Sequence, residues 1–395
     1  MIVKLKNIIS EIRDGTHGSH ERVNSGIPFL SAKNVHNNGL KISESESMVS
    51  ENEANIITSN GFPIKDDVLF TCVGTIGRCS VYELEYSLPF QRSVAFLRPQ
   101  KTLVSPKYLK YSMEADGFQE KLMLEVKQTA QAGVYMGDIR EQKIKLPSLL
   151  KQNEIVTFLD GKISNADSAI NTLKQKLIHL DEYKTALIHN AVTKGLDAKG
   201  NSILDGTPVW RKSKLKSVAS YQKGSKPKNL LEVSAENTLP YISMQQLRGN
   251  IEAKEYAKIG DGILVNDNDL IILWDGANAG ELIRGKLGIL SSTMAVFRSS
   301  NVDLDYLYYS LVANEHELRN KYIGMGIPHV SSEILNSILI SHPDNIKDQL
   351  VISNFINRDN IKIDAAKKAI NKKIALLVEY KKSLINEAVS GEIKL

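Results

Sequence analysis

One long segment occurs twice in this chain. Residues 152–192 slide, without a gap, onto residues 349–389, with 14 of the 41 positions identical. The matched residues include Gln152/Gln349, Ile155/Ile352, Phe158/Phe355, Asp167/Asp364, Lys176/Lys373 and Leu180/Leu377. The densest block is Glu182-Tyr183-Lys184, Leu187-Ile188 and Ala191-Val192, which returns as Glu379-Tyr380-Lys381, Leu384-Ile385 and Ala388-Val389. A repeat at this period is not a solenoid, which stacks three or more short units. It is a duplication of half the chain.

The repeated segments carry a helical period. In the first copy Leu159, Ile163, Ala166, Ile170, Leu173, Leu177, Leu180, Lys184, Leu187 and Ala191 step by threes and fours. The second copy runs through Ile356, Asn360, Ile363, Lys367, Ile370, Ile374, Leu377, Lys381, Leu384 and Ala388. That is a heptad seam sustained over about four heptads. Pro147 and Pro343 precede the segments, where proline tolerates a helix start. At ~1.5 Å per residue, Ile155–Ala191 is a helix roughly 55 Å long. So long and narrow an apolar stripe needs a partner, and the other copy is the simplest one. Lys184 and Lys381 interrupt the seam at equivalent places, which costs stability and fixes register.

The flanking segments are different in kind. Residues 1–147 and 197–343 hold short β-like runs, such as Val68–Val73, Ser93–Leu97, Leu270–Trp274 and Met294–Phe297, separated by glycine turns. Each also holds a helix-like patch, Pro106–Met113 and Leu304–Leu311. These segments echo one another weakly. Ile27–Val35 matches Leu239–Leu247, Asp67-Val-Leu-Phe matches Asp269-Leu-Ile-Ile, and Tyr108-Leu-Lys-Tyr-Ser matches Tyr306-Leu-Tyr-Tyr-Ser. A shared scaffold with diverged turns suggests related binding domains with different targets.

Catalytic signatures are missing. No Asn-Pro-Pro-Tyr-type motif and no Walker pattern occurs. Glu141-Gln-Lys143, with Asp116 upstream, has nuclease-like spacing, but such triplets arise easily by chance. His17 and His20 have no carboxylate or cysteine at a ligand spacing, and Cys72 and Cys79 lack a second pair, so no metal or cofactor is expected. The apolar share is 42% and the net charge +5, ordinary for a soluble protein and too mild to imply nucleic acid alone. With no apolar run of about eighteen residues and no leader-like N-terminus, the expected compartment is the cytoplasm, with reduced thiols and no membrane partner.

The order domain, helix, domain, helix resembles the specificity subunit of type I restriction–modification systems. The resemblance covers essentially the whole chain. It rests most on Lys145-Leu-Pro followed by Lys151-Gln-Asn-Glu-Ile-Val, and on the Glu-Tyr-Lys-x-x-Leu-Ile pair. The second approach, Ser341 to Gln349, is one residue longer than the first and places Asp348 before Gln349. The resemblance implies an α+β chain of two globular α/β target-recognition domains and two long helices forming an antiparallel coiled coil. The expected segments are 1–147 and 197–343 for the domains, 148–196 and 344–395 for the helical spacers. It implies a non-catalytic subunit in which each domain reads one half of a split double-stranded DNA target. The spacer docks two modification (adenine methyltransferase) subunits, and restriction subunits join through the complex.

DNA readers use Lys and Arg on phosphates and Asn, Gln, Arg, Ser or Thr on base edges. The candidates in the first domain are Lys33, Asn34, Thr75, Gln91 and Arg92. Those in the second are Lys226, Lys228, Gln245, Gln246, Arg248, Asn278 and Ser292. The candidates for partner binding are Glu182, Tyr183, Lys184, Leu187 and Ile188, with Glu379, Tyr380, Lys381, Leu384 and Ile385. Of these, Leu187, Ile188, Leu384 and Ile385 are expected to extend beyond a two-helix seam towards partner helices. The competing reading is a non-enzymatic assembly scaffold whose domains bind proteins. A self-sufficient fused enzyme fits poorly, since no residues remain after two readers and a coil.

Overall fold

The computed structural model describes residues 1–126, 132–249, 251–315, 328–393 and 395. The chain forms two compact units, residues 1–173 with 372–395, and residues 174–371. Each unit therefore combines one globular domain with part of both long helices, Leu149–Lys194 and Ile346–Ser390.

The globular part of the first unit is built on a four-stranded antiparallel sheet. Its order is Ile9–Asp14, Val94–Pro99, Val68–Thr71 and Cys79–Val81. The second unit repeats this order with Ser220–Lys223, Met294–Arg298, Leu270–Leu273 and Leu282–Arg284. The central strands Val68–Thr71 and Leu270–Leu273 are buried along their whole length, as unbroken apolar runs in a covered sheet should be. One arginine–aspartate pair is shared, its acid buried in the first domain and half-buried in the second. Asp67 receives the Arg98 guanidinium through both oxygens at 2.9 Å, and Arg298 lies 3.0 Å from Asp269. A two-stranded clip closes each domain, Ile2–Lys4 with Lys143–Lys145 and Trp210–Lys214 with Leu339–Pro343.

The helices Pro106–Glu114 and Leu304–Ala313 tie each domain to its spacer. Tyr108 donates to Lys145 O at 2.8 Å, and the Tyr306 hydroxyl lies 2.7 Å from Val192 O and 2.8 Å from Ser341 O. Tyr111 donates to Asp160, 2.6 Å away, and Tyr309 bonds to Asn357 at the position equivalent to Asp160. Gln152 is fully buried. Its Oε1 accepts from Ser105 N at 2.8 Å, and its Nε2 donates to Leu103 O and Pro147 O, both at 2.9 Å. Gln349, equally buried, accepts from Asp303 N and donates to Pro343 O, both at 2.9 Å. Thus the duplicated glutamine latches the first turn of each domain helix to the start of the adjoining spacer.

The seam falls where the period placed it. Every seam residue named above is buried or half-buried. In the first unit Ile155 and Leu159 share a core with Leu384, Ile385 and Ala388, so the two helices run antiparallel there. In the second unit Ile188, Ala191 and Val192 share a core with Ile352 and Ile356, again antiparallel. The seam lysines are paired. Lys381 bonds Asp167, and Lys184 Nζ lies 3.1 Å from Asp364 Oδ1. Lys184 corresponds to Lys381 and Asp167 to Asp364, so this is one interaction made twice with the donor and acceptor copies exchanged. A polar residue on an apolar seam costs least when a fixed partner meets it, and that partner specifies the register.

Candidate nucleic-acid interface and partner surface

A glycine in each domain brings distant loops together. A Cβ on Gly15 would stand 2.3 Å from Phe90 O, and one on Gly224 would stand 2.1 Å from Ser291 O. Only glycine allows so close an approach. These contacts align Gln91-Arg92 with Ser291-Ser292, and residues 16–20 with 225–229. The loop that carries Lys226 and Lys228 therefore has a counterpart at Thr16–His20. In sequence the lysines stand out as phosphate-binding candidates and His17 and His20 do not, although Gly15-Thr-His and Gly224-Ser-Lys form a short echo.

His17 and His20 each meet a carboxylate, but different ones. His17 Nε2 lies 2.6 Å from Asp14 Oδ2. His20 Nδ1 lies 2.5 Å from Glu53 Oε1, and its Nε2 lies 2.7 Å from Thr16 Oγ1. Among the described residues no group of three or more His, Cys, Asp or Glu is placed to hold a metal ion.

The candidates for reading DNA divide by their surroundings. Thr75, Arg92, Lys226, Lys228, Gln245 and Asn278 are exposed, and Gln91 and Ser292 are half-buried. Thr75 and Asn278 sit at the tips of equivalent hairpins, between Val68–Thr71 and Cys79–Val81 and between Leu270–Leu273 and Leu282–Arg284. Asn34 does not reach a base edge from its position. It is 2% exposed, and it accepts from Ser31 N while donating to Lys41 O and to Glu46. Gln246 is committed in the same way, accepting from Ser243 N in an equivalent capping box. Both are helix caps that shape the loop. Their neighbours Lys33 and Gln245 point outward, although Lys33 is held 2.7 Å from Glu46. Arg248 is likewise held, by Glu281.

The partner-binding candidates need a sharper correction. Leu187, Ile188, Leu384 and Ile385 are all less than a tenth exposed. Ile188 packs against the second domain's own core, and Leu384 and Ile385 against the first domain's. Periodicity showed that these positions want cover. For Ile188, Leu384 and Ile385 the cover is a core shared with this chain's own globular domain, and Leu187 is buried within the chain as well. Glu182, Tyr183, Glu379 and Tyr380 remain exposed. The two tyrosines, at 41% and 45%, offer the same aromatic surface once in each unit.

The nuclease-like residues are spent on structure. Glu141 is bridged by Lys4 and Lys6, whose ammonium groups hold its carboxyl down at about 2. Asp116 takes Lys382 and Asn386.

Two copies of one scaffold, each joined to a spacer by the same latch, are the architecture of a described family. The type I restriction modification DNA specificity domain matches residues 3–179 and again 209–376. The chain belongs to this family. Among curated relatives, the MjaVIII specificity subunit of Methanocaldococcus jannaschii is 36% identical over 180 residues, 45% of this chain and 41% of that protein. The EcoBI specificity subunit of Escherichia coli is 25% identical over 135 residues, 34% of this chain and 28% of that protein. These alignments thus span less than half of either relative. In fold the agreement runs the whole length. A chain from a type I R-M system, solved in work on its complex assembly and conformational transition, superposes with a TM-score of 0.76 at 16% identity, covering 100% of this chain and 98% of that one. The HsdS subunit from Thermoanaerobacter tengcongensis gives 0.56 at 16% identity, covering 100% and 97%. The specificity-domain fold accounts for both halves, and the α+β architecture with an antiparallel helical spacer agrees with it.

Proposed function

We propose that this chain is the non-catalytic DNA-specificity subunit of a type I restriction–modification system. Each globular domain reads one half of a split, asymmetric duplex target. The spacer fixes the distance between the halves and presents two copies of one surface, at Glu182-Tyr183 and Glu379-Tyr380, to two modification subunits. Restriction subunits join through that complex.

The supporting observation is the contrast between a preserved frame and changed tips. The sheet order, the Arg–Asp pair, the glutamine latch and the seam salt bridge occur in both halves. At the loop and hairpin positions Thr75 corresponds to Asn278, Gln91-Arg92 to Ser291-Ser292, and Lys33 to Gln245. Selection for two different half-sites makes them differ on a constant frame. DNA rises ~3.4 Å per base pair, so readers on one face of the duplex would engage half-sites about one helical turn apart.

The test is adenine methylation mapped genome-wide with and without this gene. The expected difference is a bipartite motif with a non-specific gap of several base pairs. A continuous palindrome as the sole difference would refute the reading. Binding to a duplex with no sequence-dependent component would favour a protein scaffold instead.

A further inference from the structure

The first domain contains an open cleft of about 570 Å³, walled by Thr16, His17, His20, Arg22, Gln91 and Arg92. The cleft is made by pressing residues 15–22 onto residues 89–92. Thr16 N donates to Phe90 O at 2.8 Å, and Arg92 N donates to Thr16 O at 3.1 Å. Two of the nearby acids are paired. Asp14 is bound to His17, and Glu53 to His20. The Arg22 guanidinium lies over the Phe29 ring at 4.2 Å and donates to His20 O at 3.2 Å. Arg92 is exposed, and among the described residues its guanidinium has no carboxylate partner, nor has the Gln91 amide a side-chain hydrogen bond. A cleft with two planar donor groups at its edge, neither held by a side-chain partner, suits an electron-rich planar edge.

The second domain lacks this edge. Ser291 and Ser292 replace the long side chains, and Tyr241 stands where Phe29 stood, its hydroxyl accepting from Ser292 N at 3.1 Å. The backbone N–H at this position is thus held in both domains, by Thr16 O in the first and by the Tyr241 hydroxyl in the second, and what differs is the side chain it carries.

We infer that this cleft is the base-reading centre of the first domain, with Arg92 forking onto a guanine and Gln91 addressing the adjacent base pair in the major groove. The inference rests on the DNA-reading role proposed above. A guanidinium matches guanine O6 and N7 with two parallel donors, whereas a serine cannot span them. Arg22 and His20 do not read; they position the loop. The first half-site therefore contains a G·C pair whose recognition depends on Arg92, and the second half-site is read by different means.

The experiment uses the assembled methyltransferase complex with wild-type chain, Arg92→Ala, Arg92→Lys and the double exchange Gln91→Ser with Arg92→Ser. Each base pair of the first half-site is replaced in turn in competitor duplexes, and the methylation motif is mapped. Arg92→Ala should lose roughly tenfold to a hundredfold discrimination at one G·C position, with the second half-site unchanged. Arg92→Lys keeps the charge but not the planar fork, so it should lose part of the discrimination that Arg92→Ala loses while keeping the salt dependence of binding. The double exchange should relax a neighbouring position as well. If Arg92→Ala instead weakens all duplexes equally and lowers the salt slope by about one, Arg92 touches phosphate and the inference fails. If the wild-type complex shows no bipartite preference at all, the DNA-reading role itself falls, an outcome visible before any variant is compared.

Discussion

Replacing Gln152 with alanine should open the first turn of the helix Pro106–Glu114. The wild-type side chain is fully buried and makes three hydrogen bonds, to Ser105 N, Leu103 O and Pro147 O. At about 1 kcal/mol net for each, the loss is about 3 kcal/mol. Gln349 makes two such bonds, so Gln349→Ala should cost about 2 kcal/mol in the second unit. Gln152→Glu should be worse than alanine. One oxygen can still accept from Ser105 N, but the other faces two carbonyl oxygens in a buried site, where a charge is penalised. The two units need not unfold as one, so a single melting curve cannot assign the damage. Amide hydrogen exchange can. Residues 103–110 should exchange faster in Gln152→Ala while residues 301–308 keep their wild-type rates, and Gln349→Ala should show the reverse. Equal changes in both segments, or a Gln152→Glu variant milder than Gln152→Ala, would refute the latch.

Exchanging charges across the seam, Asp167→Lys with Lys381→Asp, should restore most of what either single change removes. A double-mutant cycle in urea should give a coupling of about 1 kcal/mol or less, because both side chains are partly exposed. Cys72 and Cys79 are buried, which pushes the Cys72 thiol up to about 12 and that of Cys79 well above its usual value. Neither should react with a disulfide reagent at pH 8 until denaturant is added. Glu114 is buried beside Lys110, and burial raises its carboxyl from 4.5 to about 7 despite the lysine. A raised acid favours the folded state while protonated. That contribution is present in full below pH 4.5, and it falls away as pH rises to about 7. Its size is at most about 3 kcal/mol. Glu114→Gln should flatten this pH dependence in the first unit, as read by denaturant unfolding from pH 5 to 8.

The sequence carried the frame further than the site. A heptad seam is a local pattern, and the residues from Leu159 to Ala191 obey it because the helix buries one narrow stripe. The strands at Val68 and Leu270 were readable for a similar reason, being short, apolar and bounded by turns. What escaped was the identity of each covering surface. Leu384 and Ile385 read as apolar whether a partner helix or the domain's own core lies against them. The repeat marks Gln152 and Gln349 as matched positions, but only the fold brings Leu103 and Pro147 to Gln152. Asn34 and Gln246 did have a signal. Each lies three residues after a serine, the spacing of a capping box, which argues against a free side chain. The pairing of His20 with Glu53 left no trace, since the partners are 33 positions apart on different elements.

The second unit is an unbroken stretch of chain, residues 174–371, whose two boundaries both lie within the long helices. Each boundary falls inside the repeated sequence, not at the edge of a globular domain. A crossover there transplants a whole globular domain together with the latch and the seam lysine that seat it. A crossover at the domain edge would instead leave the newcomer to fit a foreign socket. A foreign domain is therefore more easily grafted by splicing through the helices than by trimming to the visible border of the domain.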